Sequence, residues 1–190
     1  INPASEEEKE SEFSNSAAEK TIPIDELFTF NFKKNGGKFL YCENRDEVKE
    51  QFENILEEND WFESEVICYD TELFSMLDDN KLLYSKPTNP KFLLASCENL
   101  IADEGSILFS SNQFKHFKPN ELPTNMIIFA TTSQIVNSKS DGLRRIKNTH
   151  EKNYPSNITT IKYFEEVKEQ DFLHYGSCHK NLYLLLLEDL

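Results

Sequence analysis

The sequence predicts a single α/β domain: a mostly parallel sheet flanked by helices, with a β-hairpin inserted. Three observations carry this. The first half alternates short apolar runs with amphipathic segments, in the order strand, helix, strand, helix, strand. Two apolar runs meet at Asp103-Glu104-Gly105, which reads as a hairpin turn. The chain closes on "NLYLLLLEDL", an apolar run of strand length that suits a central position.

Residues 1–20 are polar and acidic, almost free of core side chains, and are expected to form a flexible tail ahead of a domain over 21–190. In "TIPIDELFTFNFKKNGG", Asp25 can cap a short helix and Gly36-Gly37 can stop it, although "FTFNF" alternates like a strand. "KFLYC" (38–42) is a strand. Asn44 is a good cap for the next helix, in which Val48, Phe52, Ile55 and Leu56 recur at helical spacing. "EVICYD" (65–70) is a buried strand; Asp70 or Thr71 caps a short helix holding Leu73, Phe74 and Leu77. "KLLYS" (81–85) is expected as a third strand, ended by Pro87 and Pro90. Right-handed crossovers would then set helices on both faces of one sheet. "KFLLASCENLIADEGSILFSS" reads as a strand or short helix leading into the hairpin, "MIIFA" is a buried strand, and "NSKSDGLRRIKNTH" (137–150) is expected to be a helix around Leu143 and Ile146. "NITTIKYF" is less regular.

Composition narrows the function. The 190 residues carry a formal charge of −14, which disfavours nucleic acid or an anionic membrane as partner. Fifteen Phe and seven Tyr supply a core despite 38% hydrophobic content. There is no run of 18 apolar residues and no signal peptide, so a cytoplasmic protein without a membrane span is expected; the chain starts at Ile1 rather than Met. Cys42, Cys68, Cys97 and Cys178 lack close pairing and read as buried thiols rather than metal ligands. No metal and no cofactor are expected.

Four groups could carry chemistry. Asp103, Glu104 and Gly105 make a turn, or Glu104 is a carboxylate at the mouth of a pocket, with Ser106 beside it. Thr131, Thr132 and Ser133 follow a buried strand and could offer hydroxyl and N–H groups to an anion, or simply cap a helix. Arg144 and Arg145, with Lys139 and Lys147, form the one basic cluster; they could grip an anion, or form a solvated face paired with the acidic helix at 45–58. His174 and His179 flank "YGSC" just before the last strand, and Cys178 beside His179 suggests a thiolate pair or a metal, but adjacent strand residues face opposite ways and do not share a ligand readily. No Gly-rich phosphate loop and no GxSxG elbow occur.

"CENLIADEGSILFSS", "NMIIFATTSQIV" and "HKNLYLLLLEDL", in that order, resemble the LUD domain, a family that takes its name from lactate-utilisation proteins. There the hairpin reads roughly Ala-Glu-Thr-Gly-Thr-Leu; here it is Glu104-Gly105-Ser106. The family's next block corresponds to Ile127–Ala130 with Ile135-Val136, and "NGGKFLYCENRDEVKEQFENIL" is similar to its opening strand and helix. The resemblance covers about residues 35–190. It implies a sheet of the NagB/RpiA/CoA-transferase-like type and a pocket near Glu104 that binds a small anion. It also implies a role accessory to lactate or other organic-acid oxidation, with iron–sulfur or flavin oxidoreductase subunits as partners. Two segments depart from the family. Its Gly-Ile-Thr-Gly-Ala-Asp stretch is Leu93-Leu94-Ala95-Ser96-Cys97-Glu98 here, and its Ser-x-Thr-x-Asp-Ile-Glu run has no counterpart in "DFLHYGSCHKNLYL". That loss opens a second reading: a ligand-sensing or protein-interaction domain without a catalytic pocket.

Overall fold

A computed structural model describes residues 21–164 and 179–190. The expected tail over 1–20, together with His174 and Cys178, lies outside them. Helix α1 (Ile24–Lys34) settles the ambiguity of "FTFNF": Phe28 and Phe32, four residues apart, stack with ring centres 5.4 Å apart and are buried, while Phe30 faces out. Asp25 is not its cap. Pro23 precedes the helix, and Asp25 stands in the first turn, where a negative charge suits the helix dipole. Gly36, at φ 90°, turns the chain into strand β1 (Lys38–Cys42).

Helix α2 (Arg45–Asn59) begins as expected, with the Glu47 amide donating to Asn44 Oδ1 at 2.9 Å, and buries Val48, Phe52, Ile55 and Leu56. Strand β2 (Val66–Ile67) follows. Asp70 caps a 3₁₀ turn over Thr71–Leu73 that runs into α3 (Phe74–Asp79). Residues 81–85 do not form the expected third strand. They make a single bridge, Glu65 to Leu83, and Leu83 is exposed. Lys81 and Lys86 both take positive φ, and Pro87 and Pro90 have no amide to extend a ladder, so pairing stops at one residue.

Five parallel strands form the main sheet in the order β1-β9-β6-β3-β2, with β3 (Phe92–Ala95), β6 (Asn125–Thr131) and β9 (Asn181–Leu187). The terminal strand lies between β1 and β6, which is why it is apolar throughout. Alternation assigns its faces. Leu182, Leu184 and Leu186 look to one side with Met126, Ile128 and Ala130; Tyr183, Leu185 and Leu187 look to the other with Ile127.

The second face receives α2 and α3. The first receives α1 and a second sheet, in the order β7-β4-β5-β8, so helices do not cover both faces equally. The predicted hairpin is β4 (Asn99–Ile101) and β5 (Ser106–Phe109), antiparallel, with Ile101 opposite Ser106. A short helix α4 (Ser111–Phe114) follows it. Strands β7 (Ile135–Val136) and β8 (Thr159–Ile161) extend the hairpin on either side. Helix α5 (Lys139–Thr149) covers the outer face of this sheet through Ile146, packed with Ile101, Leu108 and Val136. The layers run from α2 and α3 through the parallel sheet and the small sheet to α5.

Candidate functional site

Because β1, β9, β6 and β3 are parallel, their carboxyl ends share one edge, where ligands of open α/β sheets bind. Thr131 ends β6 at that edge, and Thr132–Gln134 follow it as a 3₁₀ turn. Gln134 ties it to the neighbouring strand exit, donating from Nε2 to the Cys97 carbonyl at 2.8 Å and the Glu98 carbonyl at 3.3 Å. The predicted donors of this turn are in place, and an anion sits on them: the carboxylate of Asp189. It accepts from the Ser133 amide at 2.8 Å, the Ser133 hydroxyl at 2.5 Å and the Thr132 hydroxyl at 2.9 Å. The Thr131 and Ser133 hydroxyls are 3.0 Å apart. Desolvation raises the Asp189 pKa, but hydrogen bonds from Ser133, Thr132 and Thr131 outweigh it and bring it down to about 2.

Beside Asp189, Glu188 accepts from the Tyr41 hydroxyl at 2.7 Å, and this bond pushes the Tyr41 pKa up to about 12. Tyr41, Glu188 and Thr132 line a cavity of about 260 Å³ with Asp25, Glu26 and Thr29 of α1.

Arg145 reaches the same turn from α5, donating to the Ser133 carbonyl at 2.6 Å. Arg144 instead pairs with Asp141 one turn back, at 3.5 Å. Neither arginine meets the acidic helix α2, so the anticipated pairing with 45–58 is absent among the described residues; α5 packs on the small sheet, on the far side of the parallel sheet from α2. Next to Arg145 lies a cavity of about 250 Å³, lined also by Cys97, Glu98, Gln134, Ile146 and Thr149.

Glu98, which no local sequence pattern singles out, is a buried carboxylate beside the same cavity. Its side chain is 9% exposed. Oε1 accepts from the Ser110 hydroxyl at 2.6 Å, Asn112 Nδ2 at 2.9 Å and Gln113 Nε2 at 3.2 Å, while Oε2 faces His150 Nε2 at 3.5 Å. Ser110 and Gln113 also form the capping box of α4, so this helix start is built around the carboxylate. One signal was visible: Glu98 ends the segment in which the family carries a terminal aspartate.

Glu104 is elsewhere. Its turn is docked on the last turns of α1: Asn31 Nδ2 donates to the Ala102 carbonyl at 2.8 Å, and Asn35 Nδ2 to the Glu104 carbonyl at 2.8 Å and the Gly105 carbonyl at 3.2 Å. Gly105 has φ +64°, and a Cβ there would overlap the Asn31 carbonyl carbon and lie 2.5 Å from the Phe32 amide nitrogen. Both requirements demand glycine. The half-buried Glu104 carboxylate accepts from the Ser106 hydroxyl at 2.9 Å; Asp103 is exposed.

Since the first turn of α1 lines the cavity at the strand carboxyl ends and its last turn holds Glu104, the helix separates the two groups by roughly 15 Å. The predicted site residues therefore fall into two sets. Thr131, Thr132, Ser133 and Arg145 converge; Asp103, Glu104, Gly105 and Ser106 lie at the opposite end of the sheet, and Arg144 points away on α5.

Cys42, Cys68 and Cys97 are buried and free of disulfides. Burial pushes the thiols of Cys42 and Cys68 up to about 11 and about 12, and Cys97 higher still, so none supplies a thiolate near neutral pH. Among the described residues no group of three or more His, Cys, Asp or Glu side chains is placed to hold a metal, and no helix is long and apolar enough to cross a membrane.

A family model described as the LUD domain matches residues 26–186. No curated protein matches the chain. Among solved structures, the crystal structure of a DUF162 family protein from Deinococcus radiodurans is similar with a TM-score of 0.63. It shares 11% identity, over 87% of this chain and 96% of that one, a likeness that concerns the fold alone.

Proposed function

The chain belongs to the LUD domain family, and from that premise we propose that it binds a small organic anion at the carboxyl edge of its parallel sheet, in a role accessory to lactate or other organic-acid oxidation. The observation that carries the reading is Arg145, whose guanidinium is fixed by one hydrogen bond to the Ser133 carbonyl and borders the 250 Å³ cavity. Five N–H donors in a planar fork suit a carboxylate, and one bond leaves most of them for it. The cavity is small, with room for about eight waters, so a metabolite of a few heavy atoms suits it better than a nucleotide or a CoA ester. Electron transfer in such a role belongs to iron–sulfur or flavin oxidoreductase subunits as partners, in the cytoplasm, and this chain would position the organic acid.

A thermal-shift screen of lactate, CoA esters, sugar phosphates and folates tests this. A ligand at 100 times its Kd adds about 2.7 kcal/mol, and for a chain of this size that moves Tm by roughly 5–10 °C. A small carboxylate is expected to stabilise the protein, and Arg145→Gln to remove the effect. No stabilisation by any small carboxylate would sink the proposal.

One observation favours the second reading, a sensing or interaction domain: the donors of Thr132 and Ser133 are already occupied by the chain's own Asp189. If carboxylates bind only after Asp189→Asn, that reading leads.

A further inference from the structure

The cavity beside Arg145 carries a second charge, of opposite sign. Glu98 lines it too, and among the described residues the two side chains do not pair with each other. Oε1 of Glu98 takes the donors at the start of α4, from Ser110, Asn112 and Gln113. Oε2 accepts no hydrogen bond from the described residues; His150 Nε2 stands 3.5 Å from it without making one. Since the side chain is only 9% exposed, bulk water does little to serve that oxygen. Arg145, for its part, uses a single N–H, on the Ser133 carbonyl.

A guanidinium and a carboxylate held apart on one small cavity make a dipolar site. A simple monocarboxylate satisfies the guanidinium and meets the charge of Glu98 as repulsion. A primary ammonium suits the other half, with three N–H donors and a unit positive charge for an oxygen that has an acceptor position open. Resting on the anion-binding reading above, we infer that the ligand is a small zwitterionic amino acid, its carboxylate on Arg145 and its ammonium donating to Glu98 Oε2. The three bonds from α4 fix the Glu98 carboxylate in advance, which lowers the ordering cost of binding. Ile146 and Cys97 add apolar wall, and the cavity of about 250 Å³ leaves room for a short apolar side chain such as that of alanine. A zwitterion also adds no net charge to a chain that already carries −14.

Calorimetric titration of the whole chain with L-alanine, L-lactate and propionate separates the parts. The three acids share one carbon chain and differ only in the ammonium, hydroxyl or hydrogen beside the carboxylate. Wild type is expected to bind alanine about tenfold more tightly than either anion, the worth of one charge-assisted hydrogen bond. Glu98→Gln keeps an acceptor for Ser110 and removes the charge. It should weaken alanine about tenfold and leave propionate equal or tighter, a split that general loss of structure would not produce. Arg145→Gln should weaken all three. If wild type binds alanine no more tightly than lactate and propionate, a comparison that needs no variant, this inference is overturned and carboxylate binding stands. An unchanged alanine-to-propionate ratio in Glu98→Gln has the same consequence. Absence of binding by all three, or binding that Arg145→Gln leaves unchanged, overturns both.

Discussion

The side-chain amide of Asn35 donates to the main-chain carbonyl of Glu104 at 2.8 Å, so helix α1 grips the backbone of the acidic turn and leaves its carboxylate to Ser106. The turn is a docking device between the hairpin and α1, and its sensitive position is the glycine. Gly105→Ala forces an L-residue into φ +64° and drives a methyl into the backbone of Asn31 and Phe32. A cost of about 2–4 kcal/mol is expected from the left-handed backbone and the overpacking together. Glu104→Gln, which keeps an acceptor for Ser106, should shift stability by less than about 1 kcal/mol. Urea unfolding of both variants checks the contrast; a Glu104→Gln loss as large as that of Gly105→Ala would contradict it.

Glu98 carries the opposite expectation. Replacing it with Leu removes the acceptor shared by Ser110, Asn112 and Gln113 and leaves the fully buried Ser110 hydroxyl only a long bond to Gln113 Oε1, at 3.4 Å. A buried donor left unsatisfied costs about 1–3 kcal/mol. Glu98→Gln restores an acceptor and should recover most of that. Denaturant midpoints for the two variants decide it, and equal losses would show that the charge rather than the acceptor matters.

These two acids also mark where sequence reading succeeds and where it stops. The hairpin around Glu104 was legible because glycine between two apolar runs is a local signal, and β9 was legible as central because Leu182–Leu187 leave no polar face. Strands β7 and β8, of two and three residues, are too short to show a period, so the second sheet that displaces helices from one face could not be read. The separation of Glu104 from Arg145 depends on the direction of α1 across the sheet. Glu98 becomes a buried hub only when α4 and His150 converge on it, and no local pattern encodes either contact.

The described cysteines should resist alkylation in the native state. Cys97 is 5% exposed, and its thiol pKa is raised by burial and by the charge of Glu98. Mass spectrometry after brief iodoacetamide treatment near neutral pH is expected to find Cys42, Cys68 and Cys97 unmodified, and modified once denaturant is added. Rapid native labelling of Cys97 would mean that the cavity it lines opens far wider than the structure shows.

Asp189 sets an acid limit on the strand-end turn. Its pKa is lowered from 3.8 to about 2 by the donors of Ser133 and Thr132. A carboxylate depressed on folding contributes stability above its unfolded value, and that contribution fades as pH falls from near 4 toward 2. Asp189 is exposed, so solvent screens the effect and its size is modest. The sign is nonetheless definite: between pH 4 and 2, wild type should lose its margin over Asp189→Asn, because the variant has no charge to neutralise there. Carbon-detected NMR of the Asp189 carboxyl should titrate with a midpoint near 2 in wild type, and Ser133→Ala should move that midpoint upward by removing a hydroxyl donor. An Asp189 titration at the ordinary carboxylate value would show that the turn does not hold the side chain in solution, and the Thr132 and Ser133 donors would then be free for an incoming anion.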